Sequence, residues 1–247
     1  MRALIFGGAT EGRTLSQELA GLGAAVTVCV ATAYGKEEQG ELSGVQVRTG
    51  RLDEGQMCGV IAGADVCIDA THPYAVEASR NIRAACERTG VRLLRLLREE
   101  SGIPAGAAVF STAGDAAAWL RDRPGNILLA TGAKELWAFA GLGGQRLYPR
   151  VLPLETSLNA CAAAGVPRSN ILALQGPFTQ ELNEALIRQF HIRFLVTKDG
   201  GQAGGFGEKA AAAASTGAQL VLLRRPEDSG LDYGAVLEQC REMMECR

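Results

Sequence analysis

Arg2-Ala3-Leu4-Ile5-Phe6-Gly7-Gly8-Ala9-Thr10-Glu11-Gly12-Arg13 decides the fold. Its first five residues are a short, nearly unbroken apolar run that ends on two glycines. Such a run reads as a strand buried on both faces in a parallel sheet. From Glu11 the spacing changes: Leu15, Leu19 and Leu22 recur at helical intervals. Strand, glycine turn and helix in that order place unpaired backbone N–H groups and a positive helix end where an anion can meet them. The glycines are spaced GGxxxG, not GxGxxG, and no GK[ST] follows, so a P-loop is excluded. Gly7, Gly8, Ala9, Thr10, Glu11, Gly12 and Arg13 are therefore candidates to hold a dinucleotide pyrophosphate, against the plainer reading of a tight turn.

The alternation continues outward from this stretch. Ala25–Ala31, Val45–Arg48, Val66–Ala70 and Val91–Leu96 read as further strands, with helices at Gly55–Ala62 and Val76–Arg88. That completes a doubly wound unit of about 100 residues. A Gly/Pro-bearing stretch, SGIPAGAAVF (101–110), marks a boundary, after which the pattern resumes. Strands are predicted at Val109–Ser111, Asn126–Ala130, Gln145–Val151, Asn170–Leu174, Phe194–Thr197 and Gln219–Leu223. Helices are predicted at Ala113–Arg121 and near 156–164, 179–190 and 207–216, and Tyr233–Glu245 forms a last amphipathic helix. The expectation is an α/β protein of two Rossmann-like lobes, parallel sheets flanked by helices with a ligand cleft between them. Residues 1–104 form the dinucleotide-binding lobe and 105–247 the substrate lobe, with the last helix free to pack on either.

In such folds ligands gather outside the carboxyl ends of the strands, so the residues following each strand are the candidates. After the second strand come Ala31-Thr32-Ala33-Tyr34-Gly35-Lys36. No acid stands there to hold ribose hydroxyls, whereas Thr32 can bond a ribose and Lys36 can meet a 2′-phosphate, so NADH and NADPH both stay open. Gly50 and Arg51 follow the third strand, on the adenine side. The densest polar cluster of the first lobe, Asp69-Ala70-Thr71-His72-Pro73-Tyr74-Ala75, follows the fourth. In the second lobe Thr131-Gly132-Ala133-Lys134, Arg150, Gln175-Gly176-Pro177-Phe178 and Lys198-Asp199-Gly200-Gly201 follow successive strands. Each alone is a loop. Four on one edge, carrying Lys134, Arg150 and Lys198, suit a ligand with several carboxylates.

Composition narrows the classes. A net charge of −2 argues against bulk attraction to nucleic acid or an anionic membrane. No apolar run approaches the roughly 20 residues that span a bilayer, and no secretory signal is evident, so a cytoplasmic protein is expected. The seven cysteines include no CxxC pair and several sit in apolar runs, and only two histidines are present, so no metal site is expected. No GxSxG, Ser-x-x-Lys or HExxH occurs, and none of Tyr34, Tyr74, Tyr148 and Tyr233 has a Lys four residues on, which disfavours a sugar or hydroxy-acid dehydrogenase. Hydride transfer needs no nucleophile, because the cofactor carries the chemistry.

Taken in order, GGATEGRTL, DATHPYA with its SxNIRxAC helix, LRLLRE, TGAKEL, RVLP, QGPF and TKDGG resemble the precorrin-6A reductase family, which reduces a ring-contracted corrin precursor in cobalamin biosynthesis. The resemblance runs from about residue 2 to Pro226. It implies an NADH- or NADPH-dependent oxidoreductase that converts (cobalt-)precorrin-6A to (cobalt-)precorrin-6B, with this polycarboxylated tetrapyrrole as its partner. It implies that Gly7 to Arg13 hold the cofactor phosphates and that Thr71, His72 and Tyr74 lie near the nicotinamide. Lys198, Asp199, Gly200 and Gly201 would then serve the macrocycle, with His72 and Lys198 as the candidate catalytic residues. The chain departs from the pattern where TKDGG stands in place of TK(D/N)SGG, and ATAYGK resembles the cobalt-precorrin branch. The alternative from another class is a nucleotide-sensing regulator that binds NAD(P) without turnover.

Overall fold

A computed structural model describes residues 1–8, 10–98, 101–201 and 204–246. The elements of the first part are β1 (Arg2–Phe6), α1 (Thr10–Gly21), β2 (Ala25–Val30), α2 (Ala33–Gln39), β3 (Val45–Thr49), α3 (Glu54–Ile61), β4 (Val66–Asp69), α4 (Val76–Thr89) and β5 (Arg92–Arg95). There follow β6 (Ala108–Phe110), α5 (Ala113–Arg121), β7 (Asn126–Leu129), α6 (Leu136–Phe139), β8 (Leu147–Val151), α7 (Glu155–Ala163), β9 (Leu172–Ala173), α8 (Gln180–Gln189), β10 (Ile192–Lys198), α9 (Phe206–Thr216), β11 (Gln219–Leu223) and α10 (Tyr233–Glu245). The chain divides into two compact units, Met1–Glu99 with Pro226–Arg247, and Glu100–Arg225.

In the first unit five parallel strands lie in the order β3-β2-β1-β4-β5. Side chains alternate across a strand, so each strand feeds two cores. Ala3, Ile5, Val26, Val28, Val30, Val66 and Ile68 pack with Leu15 and Leu19 of α1 and with Val236 and Cys240 of α10. Leu4, Phe6, Cys29 and Cys67 pack on the other face with Met57 and Ile61 of α3 and Ile82, Ala85 and Cys86 of α4. Burying each such aliphatic side chain contributes about 1.5–3 kcal/mol, which is why the strands read as continuous apolar runs. The second unit holds six parallel strands in the order β6-β11-β10-β7-β8-β9. Ile127, Leu129, Phe194, Val196, Val221 and Leu223 face α5, α6 and α7, and Leu128, Leu195, Leu220 and Leu222 face α8 and α9.

The structure redraws the two-segment division of 1–104 and 105–247. Residues 226–247 return to the first unit. There Val236 and Cys240 complete the cover over α1, Leu231 bridges to Leu96 beside β5, and Arg92 bonds Gln239. Helix α2 occupies what reads in sequence as a loop after the second strand. Thr32 starts it by accepting the amide of Gly35 at 3.0 Å, and Glu37, Glu38 and Gln39 sustain it. Strand β8 begins two residues later than Gln145 because Gly144–Arg146 closes a 3-10 turn, and β9 is cut to two residues by another at Arg168–Asn170. Among the described residues no helix is long and apolar enough to cross a membrane.

Candidate functional site

The first sheet changes winding direction at β1, whose neighbours are β2 and β4, and open α/β sheets bind ligands at such a point. Pairing of Phe6 with Asp69 brings the loops that follow β1 and β4 side by side. The amide of Gly7 donates to the carbonyl of Cys29 at 2.9 Å, which extends the β1–β2 ladder by one residue. Gly8 has φ +115°, a region L side chains rarely adopt, and nothing lies within 4 Å of the Cβ it lacks. Open space thus lies beside exposed backbone just past the end of β1. Gly12 serves packing instead. A Cβ there would stand 3.1 Å from that of Ala70, so its absence lets α1 seat closely against the end of β4. Thr10 begins the 12-residue α1, and Thr10 and Arg13 are exposed. Ala9 lies outside the described residues. Glu11 is ion-paired with Arg98 at 3.0 Å. Thr32 is engaged as the cap of α2, while Gly50 and Arg51 lie exposed at the end of β3.

The loop after β4 is held by a buried charge network. Asp69 accepts the amide of Thr71 at 3.0 Å and its hydroxyl at 2.7 Å. Arg95 of β5, also buried, lies 2.9 Å from the Asp69 carboxylate through Nη1 and donates to the Thr71 carbonyl at 3.1 Å. Its Nε reaches Asp228 at 2.7 Å. The Thr71 hydroxyl also meets Ser79 of α4 at 3.1 Å. Thr71 is thereby held through its amide, its carbonyl and its hydroxyl, and the following turn closes with the Ala75 amide on the His72 carbonyl at 2.7 Å. His72 is exposed, accepts the Tyr74 amide on Nδ1 at 3.3 Å, and its ring lies 5.5 Å from that of Tyr74. In a neutral ring this puts the proton on Nε2.

In the second unit the pairing of β7 with β8 and β10 sets Thr131, Arg150 and Lys198 along one sheet edge. Thr131 is buried, with no partner for its hydroxyl among the described residues; Gly132 has φ +79°, and Lys134 is exposed. Lys198 pairs with Glu135 at 2.8 Å, so its ammonium is shared with the loop after β7. The Asp199 carboxylate binds Arg225 through Nη2 at 3.0 Å and Nε at 3.1 Å, and accepts the Gly201 amide at 3.2 Å. Burial pushes the Asp199 carboxyl up, but Arg225, the Gly201 amide and Ser101 outweigh it and hold it below the usual range. Gly200 and Gly201 are buried beside it. Arg150 donates to Asn183 of α8 at 2.8 Å and lies 4.0 Å over the Phe178 ring. Gln175, Gly176 and Pro177 lead into that phenylalanine, through a cis Gly176–Pro177 peptide.

Sequence reasoning found the loops and missed what secures them. Arg95 and Glu135 fall inside the stretches LRLLRE and TGAKEL with no role marked for either, and Asp228, Arg225, Asn183 and Lys209 had no motif to mark them. For Arg95 a signal existed: a charge inside the largely apolar stretch VRLLRLL (91–97) has to be paired if it is buried. Lys209 stands alone before an alanine run in α9, which gives no clue.

The family model described as Precorrin-6x reductase CbiJ/CobK matches residues 2–246. The chain is 32% identical over 248 residues to a cobalt-precorrin-6A reductase of Priestia megaterium, covering 98% of this chain and 96% of that one. It is 36% identical to the cobalt-precorrin-6A reductase of Salmonella typhimurium, covering 90% and 87%. A solved structure, CobK precorrin-6A reductase, superposes with a TM-score of 0.78 at 27% identity, covering 98% of this chain and 97% of that one.

Proposed function

The chain belongs to the precorrin-6x reductase family, and from that premise we propose that it uses NADH or NADPH to reduce (cobalt-)precorrin-6A to (cobalt-)precorrin-6B in cobalamin biosynthesis. The observation that carries the nicotinamide part of this reading is the junction of the Gly7–Gly8 and Thr71–His72 loops where β1 meets β4. The open space at Gly8 and the close seating of α1 through Gly12 fit a pyrophosphate held by backbone N–H groups at a helix N-terminus. When bound, the dinucleotide supplies a hydride.

The chain's own residues bind and orient. Gly7, Gly8, Thr10 and Gly12 form the phosphate cradle, with Arg13 at its exposed side. Asp69 and Arg95 hold Thr71 so that the His72–Tyr74 turn keeps one geometry, and a fixed geometry is worth several orders of magnitude in rate. His72 and Tyr74 are the contacts for the ring that reacts. In the second unit Thr131, Gly132, Lys134, Arg150, Gln175, Gly176, Pro177, Lys198 and the Asp199–Gly201 turn serve a macrocycle rich in acetate and propionate groups. Lys198 offers positive charge to the conjugated system as it accepts electrons, with Glu135 holding its ammonium in place.

The test is anaerobic incubation with precorrin-6A, with and without cobalt, following nicotinamide absorbance with NADH and NADPH in separate runs. Consumption of nucleotide that depends on the corrin is expected. Tight nucleotide binding with no consumption would replace this reading by a nucleotide sensor. Gly8→Val fills the cradle and strains the backbone; it is expected to raise the nucleotide dissociation constant at least tenfold, about 1.4 kcal/mol, as read by nicotinamide fluorescence.

A further inference from the structure

Three cations are buried among the described residues: Arg95, Arg150 and Lys209. Arg95 has two acidic partners, Asp69 and Asp228. Arg150 and Lys209, 7% and 8% exposed, have no carboxylate partner among the described residues. Isolated buried charge is costly, so this contrast inside one molecule needs a cause.

Both groups lie in the same layer. Leu147 and Val151 of β8 point to the α5–α7 side, so Arg150, one residue before Val151, points to the side of α8 and α9. Asn183 reaches Arg150 from α8, and Lys209 enters from the first turns of α9. The guanidinium is immobilised. Phe178 lies beneath it, and Asn183, itself anchored to the Thr179 carbonyl at 2.7 Å, takes one of its five N–H donors. Gly176 makes room for this stack, since a Cβ there would lie 3.0 Å from the Phe178 ring. Lys209 spends one donor on the Gly204 carbonyl at 2.9 Å. The remaining donors have no protein acceptor among the described residues. Burial pulls Lys209 down to about 8, with Arg150 adding repulsion and Glu208 opposing it, and burial pulls Arg150 down to about 10. Two cations repelling each other in a low-dielectric layer mark a place prepared for an oxyanion.

We propose that Arg150 and Lys209 form a binding site for one peripheral carboxylate of the substrate, with Asn183 and Phe178 as positioning residues. This rests on the reductase reading, which supplies the polycarboxylate; a nucleotide phosphate is the other oxyanion at hand, and the test separates the two. Turnover of precorrin-6A, nucleotide affinity and melting are measured for the wild type, Lys209→Met and Lys209→Arg. Lys209→Met is expected to raise KM for the corrin at least tenfold, about 1.4 kcal/mol, with kcat within threefold and nucleotide affinity unchanged; Lys209→Arg is expected to stay within threefold of wild type. An unchanged KM in Lys209→Met, or a loss of nucleotide affinity in its place, overturns the site. A wild type that does not turn over precorrin-6A refutes the reductase reading alone. The site is then judged with citrate at constant ionic strength: a rise in melting temperature that Lys209→Met abolishes supports it, and an equal rise in both proteins overturns it.

Discussion

Arg95 illustrates how a single side chain can decide whether a loop has one shape. It lies 2.9 Å from the Asp69 carboxylate, bonds the Thr71 carbonyl and reaches Asp228, all in a buried setting. Removing it leaves the buried Asp69 carboxylate with the Thr71 amide and hydroxyl but without its counter-charge. Arg95→Met is expected to cost about 3–5 kcal/mol of stability, measured by urea unfolding, and to weaken turnover beyond what the stability loss explains. At this scale the glycines and the His72 cluster were legible, because backbone demands leave a local mark in sequence. Arg95–Asp228 and Arg150–Lys209 were not legible, since each joins residues far apart in the chain and depends on strand order.

Elements were read best where burial is two-sided. Strands β1, β2 and β4 carry nearly continuous apolar runs, and their positions follow directly from them. Helix α2 escaped because its length of seven residues gives too few turns for a periodic stripe, and a threonine cap is a weak signal in isolation. Strand β9 shrank because Asn170 turns back to bond the Gln145 and Leu147 carbonyls. Between β10 and β11 the Asp199–Arg225 pair acts as a latch across neighbouring strand ends. The Asp199 carboxyl lies below its ordinary value of 3.8 when folded. A depressed carboxyl contributes stability above its unfolded value, and that contribution is lost as pH falls through the folded one. Asp199→Asn should therefore cost about 2 kcal/mol at pH 7 and progressively less below about pH 4. Urea midpoints of both proteins from neutral to acid pH check the sign; a difference that grows toward low pH contradicts it.

On the scale of the whole molecule, the second unit is one uninterrupted segment, Glu100–Arg225, whose sheet is covered on both faces. Expressed alone, that segment is expected to unfold in a single cooperative transition by circular dichroism. A chain ending at Arg225 should keep this transition and lose several kcal/mol from the other, since Val236, Cys240 and Asp228 go with the C-terminal segment. The sequence announced the two sheets and the existence of the last helix, but not its host. Val236 and Cys240 form an apolar stripe that either sheet could have covered, and only the tertiary match with α1 decides.

That return of residues 226–247 has a consequence in time. A polypeptide leaves the ribosome at about 5–20 residues per second, so β1 to β5 emerge and then wait roughly 7 to 30 seconds for the helix that covers Leu15 and Leu19. The inserted segment can complete its own core during that delay. The glycine loop after β1, though it emerges well before the inserted segment, belongs in this order of events to the unit that is completed last.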